Sequence, residues 1–134
     1  MRYLLDTHVL FWAMSSEEKL SENVLEIINN PENEIYFSSA SVWEVVIKHG
    51  KDSSKMPVHG HDFTNGCLQA GFIPLSIENE HVLAVGKLQR SSGEPPHHDP
   101  FDRILIAQAK TENMILLTHD SLLSGYGESC VKEI

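Results

Sequence analysis

Short apolar runs alternate with longer amphipathic segments along this chain of 134 residues. Residues 3–5 and 114–118 have the length and apolar character of buried strands. Residues 34–38 and 72–75 predict two further strands, and residues 131–134 predict an edge strand. Apolar positions at helical spacing predict helices over 9–14, 21–30, 41–50, 62–70, 78–88 and 100–112.

The segments between these elements are polar or contain Pro and Gly. Residues 51–60 and 91–98 are the longest of them and predict loops. Strands that alternate with helices favour a mostly parallel sheet covered on both faces. The sequence therefore predicts an α/β fold, and the length suits a single domain over residues 1–134.

The composition is that of an ordinary globular domain, with 41% hydrophobic and 22% charged residues. No apolar run approaches the ~20 residues that cross a bilayer, and an acid at position 6 interrupts the first apolar segment. These features predict a cytoplasmic protein. Cys67 and Cys130 lie far apart and fit small buried residues better than a disulfide or zinc site.

The formal net charge of −9 argues against a generic basic nucleic-acid binder. It leaves open an enzyme that meets nucleic acid through bound cations, because carboxylates gathered around metals make the charge negative. The positions of the acids along the chain therefore decide whether the negative charge indicates a metal site.

Several acids lie where the carboxyl ends of parallel strands form a ligand-binding edge. Asp6 follows the first strand, Asp120 follows the strand 114–118, and Glu44 lies one helical turn beyond the strand 34–38. Asp99 and Asp102 begin the helix that leads into the strand 114–118. Carboxylates converging on one edge repel each other unless cations bind, and such oxygen clusters suit Mg²⁺ or Mn²⁺.

Each acid taken singly also fits a helix cap. Asp6 and Asp120 precede helical segments, and Ser41-x-x-Glu44 matches a capping box. Asp99 before Pro100 is a strong helix start, with Asp at the N-cap and Pro at the first helical position. Asp102 then either reaches back to the Asp99 amide or points into the acidic edge.

Other polar residues near these acids allow two interpretations. His97 and His98 are predicted to be solvated loop residues, with metal or phosphate contact as the alternative. His8 and His119 stand beside Asp6 and Asp120, which suits contacts to metal ligands. Arg103 fits either a phosphate contact or an ion pair with an acid. The predicted core includes Trp43, Phe101, Ile104, Leu105 and Ala109.

Four ordered motifs carry a family resemblance that runs nearly end to end. They are YLLDTHVLFWA, SASVWEVVIKHG, HHDPFDRILIAQA and MILLTHD. Together they resemble the PIN-domain nucleases, and more closely the VapC-type toxins of prokaryotic toxin–antitoxin pairs. This resemblance implies a three-layer α/β/α sandwich with a central, mostly parallel sheet.

The resemblance also implies a site and an activity. The family's four catalytic and metal-binding acids fall on Asp6, Glu44, Asp102 and Asp120, and Thr118 matches a polar residue in the same site. Asp99 belongs to a variant with an extra upstream Asp, while the polar stretch at 50–60 departs from the usual pattern. The expected activity is Mg²⁺- or Mn²⁺-dependent cleavage of RNA by an activated water. Arg103, Asp99 and His119 are the expected additional contacts.

The expected partners are an RNA substrate, a small cognate antitoxin and a second copy of the chain, with no membrane. The alternatives are a PIN nuclease of RNA processing that is not a toxin, a non-catalytic binding protein on this fold, and a metal-dependent phosphatase.

Overall fold

A parallel sheet forms the centre of the protein. The structure is a computed structural model that describes all 134 residues. The strands are β1 (Arg2–Leu5), β2 (Glu34–Ser38), β3 (Ile73–Leu75), β4 (Ile115–Thr118) and β5 (Val131–Glu133). Their order across the sheet is β3-β2-β1-β4-β5, and all four neighbouring pairs are parallel. This confirms the predicted α/β architecture.

Helices cover both faces of the sheet. They are α1 (Thr7–Ser15), α2 (Glu22–Asn29), α3 (Ser39–Lys51), α4 (Gly60–Gln69), α5 (Asn79–Val85) and α6 (Pro100–Glu112), with 3₁₀ helices at Glu17–Lys19 and Ser121–Tyr126. Every predicted helix is present; α6 has the predicted ends, and the ends of the other helices are displaced by one to three residues. None of the helices is both long and apolar enough to span a membrane.

Alternate residues of β1 divide the core into two apolar clusters. Tyr3 and Leu5 pack on one face of the sheet with Val45 of α3 and Phe63 of α4. Leu4 packs on the opposite face with buried residues of α6 that include Leu105. Because neighbouring side chains of a strand point to opposite faces, a central strand must be apolar on both.

The predicted core was wrong at Trp43. This side chain is 57% exposed, and its ring meets Phe101 edge-on with the ring centroids 5.2 Å apart. Leu105 and Ala109 are buried as predicted. Cys67 is also buried, Cys130 is half-buried, and both cysteines are free.

The topological switch point of the sheet, where successive connections turn from one side to the other, lies beside β1. From β1 the chain continues to β2 and β3 on one side, and it returns to β4 and β5 on the other. Leu5 lies opposite Leu117 in the register of β1 and β4, and the Asp6 amide donates to the Leu117 carbonyl at 3.1 Å. The carboxyl ends of these two strands therefore form the crevice in which open α/β sheets bind ligands.

Candidate active site

Asp6 lies at the carboxyl end of β1 and is nearly buried. Its Oδ1 accepts from the Val9 amide at 2.9 Å, which makes Asp6 the N-cap of α1. Its Oδ2 accepts from the Thr118 hydroxyl and from the His119 amide at 3.3 Å. Burial raises the pKa of Asp6, and these hydrogen bonds oppose the rise. The predicted cap is confirmed, and the second carboxylate oxygen faces β4.

The Thr118 hydroxyl joins two of the predicted acids. It donates its proton to Asp6 and accepts from the Asp120 amide at 3.0 Å. Asp120 in turn accepts from the Leu122 amide at 2.9 Å and caps the 3₁₀ helix Ser121–Tyr126. Since Thr118 is fully buried, it holds the Asp6 carboxylate and the start of the Asp120 segment in a fixed relation.

Glu44 projects from α3 toward the end of β1. Its Oε1 accepts from the Thr7 hydroxyl at 2.7 Å, and its Oε2 pairs with Lys48 at 2.6 Å. The predicted capping box was wrong, because α3 begins at Ser39 and its N-cap is Ser38. Glu44 therefore lies deeper in the helix than a capping residue. The i, i+4 spacing to Lys48 was a readable signal of this ion pair.

Asp99 and Asp102 have different roles at the start of α6. Asp99 is exposed, and its Oδ1 accepts from the amides of Phe101 at 2.9 Å and Asp102 at 3.3 Å. Pro100 occupies the first helical turn. This confirms the predicted cap, and the Asp102 carboxyl contacts His97 instead of turning back to the Asp99 amide.

The pKa of Asp102 shows that the acids share one region. Burial and then the charges of Asp99, Asp120, Glu44 and Asp6, in that order, raise this pKa to about 7. A carboxyl surrounded by this much negative charge favours a proton or a cation. The four predicted acids are thus brought together at one end of the sheet.

His97 was predicted to be a solvated loop residue, and this prediction was wrong. The residue is 8% exposed, and its ring lies between Tyr126 and Asp102. One ring nitrogen of His97 and one carboxylate oxygen each of Asp102 and Asp120 lie within 4.8 Å of one another. The neighbouring His98 is exposed, as predicted. Nothing local in the sequence separates these two adjacent histidines.

Arg103 and His119 lie at the margin of the acids. The Arg103 guanidinium donates to the Val85 carbonyl at 3.3 Å and makes no ion pair, while its buried Nε has no partner. His119 contacts Asp6 through its backbone amide only, because its ring meets Trp12 edge-on at a centroid distance of 4.7 Å. The ring of His119 therefore does not contact an acid of the site.

The donor set fits a hard divalent cation. Asp6, Glu44, Asp102 and Asp120 supply carboxylate oxygens, which are the ligands that Mg²⁺ and Mn²⁺ prefer. Burial and the neighbouring carboxylates raise the pKa of Asp102, which favours binding of a proton or a cation at this carboxylate. A cation at this edge of the sheet would offset the negative charge of these carboxylates.

The fold and the site define a protein class. A family model described as PIN domain matches residues 3–128, so the chain belongs to the PIN domain family. This family consists of nucleases that use divalent metals.

Two solved structures share the fold over nearly the whole chain. The structure of VapBC2 from Rickettsia felis, bound to a DNA fragment from their promoter, is 19% identical with a TM-score of 0.71, covering 99% of this chain and 98% of that one. The structure of VapBC-1 from nontypeable Haemophilus influenzae is 17% identical with a TM-score of 0.67, covering 99% and 98% respectively. No curated protein sequence matches this chain.

Proposed function

We propose that this protein is an Mg²⁺- or Mn²⁺-dependent endoribonuclease, with residues 1–134 forming a single catalytic domain. The observation that carries this proposal is the position of four carboxylates near the switch point of the parallel sheet, where burial and the neighbouring negative charges together raise the pKa of Asp102 to about 7. A bound divalent cation supplies a Lewis acid that makes water nucleophilic near neutral pH and offsets charge on the phosphate.

We propose different roles for the residues that would hold this cation. Asp6 and Asp102 are proposed as direct ligands, because they lie on different elements whose ends meet at the crevice. Asp120 and Glu44 complete the carboxylate set. Thr118 orients Asp6 through its hydroxyl, and Thr7 orients Glu44 in the same way.

Measuring how RNA cleavage depends on added metal tests this proposal. We expect single-stranded RNA to be cleaved internally in Mg²⁺ or Mn²⁺, cleavage to stop in EDTA, and added metal to restore it. Full cleavage in EDTA would contradict the proposal. Turnover of a phosphomonoester such as p-nitrophenyl phosphate, without RNA cleavage, would favour the phosphatase alternative.

We further propose that the protein acts in the cytoplasm as the toxin of a VapBC-type pair. The two similar structures are named as VapBC assemblies, and the net charge of −9 suits a small antitoxin that places basic residues against the acidic edge. Expression alone is expected to stop bacterial growth, and co-expression of a small protein encoded beside the gene is expected to restore it. Normal growth on expression would favour a nuclease of RNA processing.

A homodimer is proposed through α5. Two large apolar side chains of this helix face solvent, Val82 at 55% and Leu83 at 73% exposure. Light scattering is expected to give twice the chain mass of 15.1 kDa for the wild type and the single mass for Leu83→Lys. Leu68→Lys, at an exposed leucine of α4, is the matched control and is expected to stay dimeric. A monomeric wild type would contradict the proposal.

A further inference from the structure

Two fully or nearly buried histidines each lie beside two acids, and their hydrogen bonds distinguish them. His81 is grouped with Glu80 and Glu112, and His97 is grouped with Asp102 and Asp120. The tautomer of each ring decides whether a nitrogen lone pair is free to bind a metal.

Both ring nitrogens of His81 have structural partners. Its Nδ1 accepts from the Glu78 amide at 2.9 Å, so in the neutral ring the proton is on Nε2. That nitrogen lies 3.0 Å from a Glu112 carboxylate oxygen, to which it donates. His81 therefore has no lone pair available for a metal and serves to fix the start of α5.

The contacts of Tyr126 favour the opposite tautomer for the ring of His97. The Tyr126 hydroxyl has one proton, which it donates to the His97 carbonyl at 3.0 Å. His97 Nδ1 lies 2.7 Å from the same hydroxyl oxygen, so Nδ1 is the donor of that contact when the hydroxyl proton points to the carbonyl. In the neutral ring the lone pair is then on Nε2, which lies 3.1 Å from Asp102 Oδ2.

In this tautomer His97 Nε2 and an ionised Asp102 need a positive partner. A nitrogen lone pair and an ionised carboxylate at this distance repel each other unless a proton or a metal cation lies between them or beside both. His97 Nε2 and oxygens of Asp102 and Asp120 lie within 4.8 Å of one another. Ligands about 2.1 Å from a Mg²⁺-sized ion lie about 3 Å apart at adjacent octahedral positions and about 4.2 Å apart at opposite ones. The 3.1 Å between His97 Nε2 and Asp102 Oδ2 matches an adjacent pair.

The loop that carries His97 is anchored independently of these acids. The Arg90 guanidinium donates to the Pro95 carbonyl at 2.8 Å and to the Leu122 carbonyl at 2.6 Å. It also lies 4.7 Å from the centroid of the Tyr126 ring. The position of the imidazole therefore does not depend on its contact with Asp102, which is what a preorganised ligand requires.

We infer that His97 Nε2 is a direct ligand of the divalent cation beside Asp102 and Asp120, and that this nitrogen makes the site prefer Mn²⁺ to Mg²⁺. The inference rests on the proposed function, since it assumes that a cation binds at these acids. An imidazole nitrogen is a good ligand for transition metals, whereas Mg²⁺ selects oxygen.

Pulsed electron paramagnetic resonance of the Mn²⁺-loaded full chain tests the inference directly, because a coordinated imidazole nitrogen modulates the Mn²⁺ echo. We expect ¹⁴N modulation in the wild type and in His98→Gln, the matched neighbouring control, and its loss in His97→Gln. We also expect His97→Gln to weaken Mn²⁺ binding by about 10-fold or more, in the range known for perturbed metal sites. Its Mg²⁺ binding should change less.

Labelling wild-type histidines with ¹⁵N repeats the test without a substitution, and should replace the ¹⁴N modulation with that of ¹⁵N. Mn²⁺ binding without histidine modulation, or modulation that persists in folded His97→Gln, would overturn the inference and leave the proposed nuclease intact. Failure of Mn²⁺ to bind at all would overturn both.

Discussion

Asp102→Asn is expected to lower metal-dependent RNA cleavage by about 100-fold or more, the scale of losing one charge-stabilising group in an active site. The substitution keeps the shape of the side chain and removes its charge. The charges of the other carboxylates raise the pKa of Asp102, which places this residue at the centre of the proposed cation site. Cleavage rates at saturating Mg²⁺ and Mn²⁺ measure the effect.

Asp99→Asn is the matched control for this variant. It makes the same chemical change three positions away, at an exposed residue. Asn is as good an N-cap as Asp, so α6 keeps its start. We expect this variant to retain cleavage within about 10-fold, because Asp99 acts on Asp102 through the charge of an exposed side chain, which solvent screens. An active Asp102→Asn protein would contradict the proposed site, and an equally inactive Asp99→Asn protein would assign Asp99 a role beyond capping.

The same Asp102→Asn change is expected to stabilise the metal-free protein. A carboxyl whose pKa is higher in the folded chain than in the unfolded chain destabilises the fold wherever it is ionised in both. For Asp102 this cost is full above about pH 7, and it disappears as the pH falls toward the ordinary value of 3.8. The side-chain amide introduced by the substitution also has a proton to donate to His97 Nε2, which lies 3.1 Å from the Asp102 carboxylate.

The expected increase in the free energy of unfolding is larger at high pH than at low pH. One pKa unit corresponds to about 1.4 kcal/mol, so the shift sets an upper limit of about 4 kcal/mol. We expect Asp102→Asn to raise the free energy of unfolding by about 2–4 kcal/mol at pH 8 and by less at pH 5. Burial lowers the pKa of His97, which costs stability at acidic pH in both proteins. Comparing the two proteins therefore removes most of that contribution.

Urea unfolding at several pH values, with EDTA present, measures this difference. Mn²⁺ at a free concentration of about 100 times its dissociation constant should raise the free energy of unfolding of the wild type by about 2.7 kcal/mol. The same Mn²⁺ concentration should have little effect on Asp102→Asn. Equal stability of the two metal-free proteins at pH 8 would show that the Asp102 charge is already compensated. Asp99→Asn again serves as the control: it removes one charge that acts on Asp102 and leaves the burial of Asp102 unchanged, so it should stabilise the metal-free protein by less than Asp102→Asn does.

The order of the elements could be predicted because each one has a local signal. The strand at Tyr3–Leu5 is apolar on both faces, and α6 begins with an Asp-Pro pair whose capping geometry the structure reproduces. Element ends were less accurate. Helix α3 begins at Ser39 because Ser38 caps it, whereas the Ser41-x-x-Glu44 pattern indicated a cap at Ser41, three residues further on.

The sequence by itself determined the parallel α/β sheet, the acids at its carboxyl edge and the division between a capping Asp99 and a free Asp102. These follow from periodicity, from cap chemistry and from the rule that parallel strands end at one edge. Only the tertiary structure decided which polar residues join those acids. Thr7 reaches Glu44 from another element, Tyr126 contacts Nδ1 of His97, and Trp43 faces solvent. Such contacts depend on where distant segments pack, and no spacing along the chain encodes them.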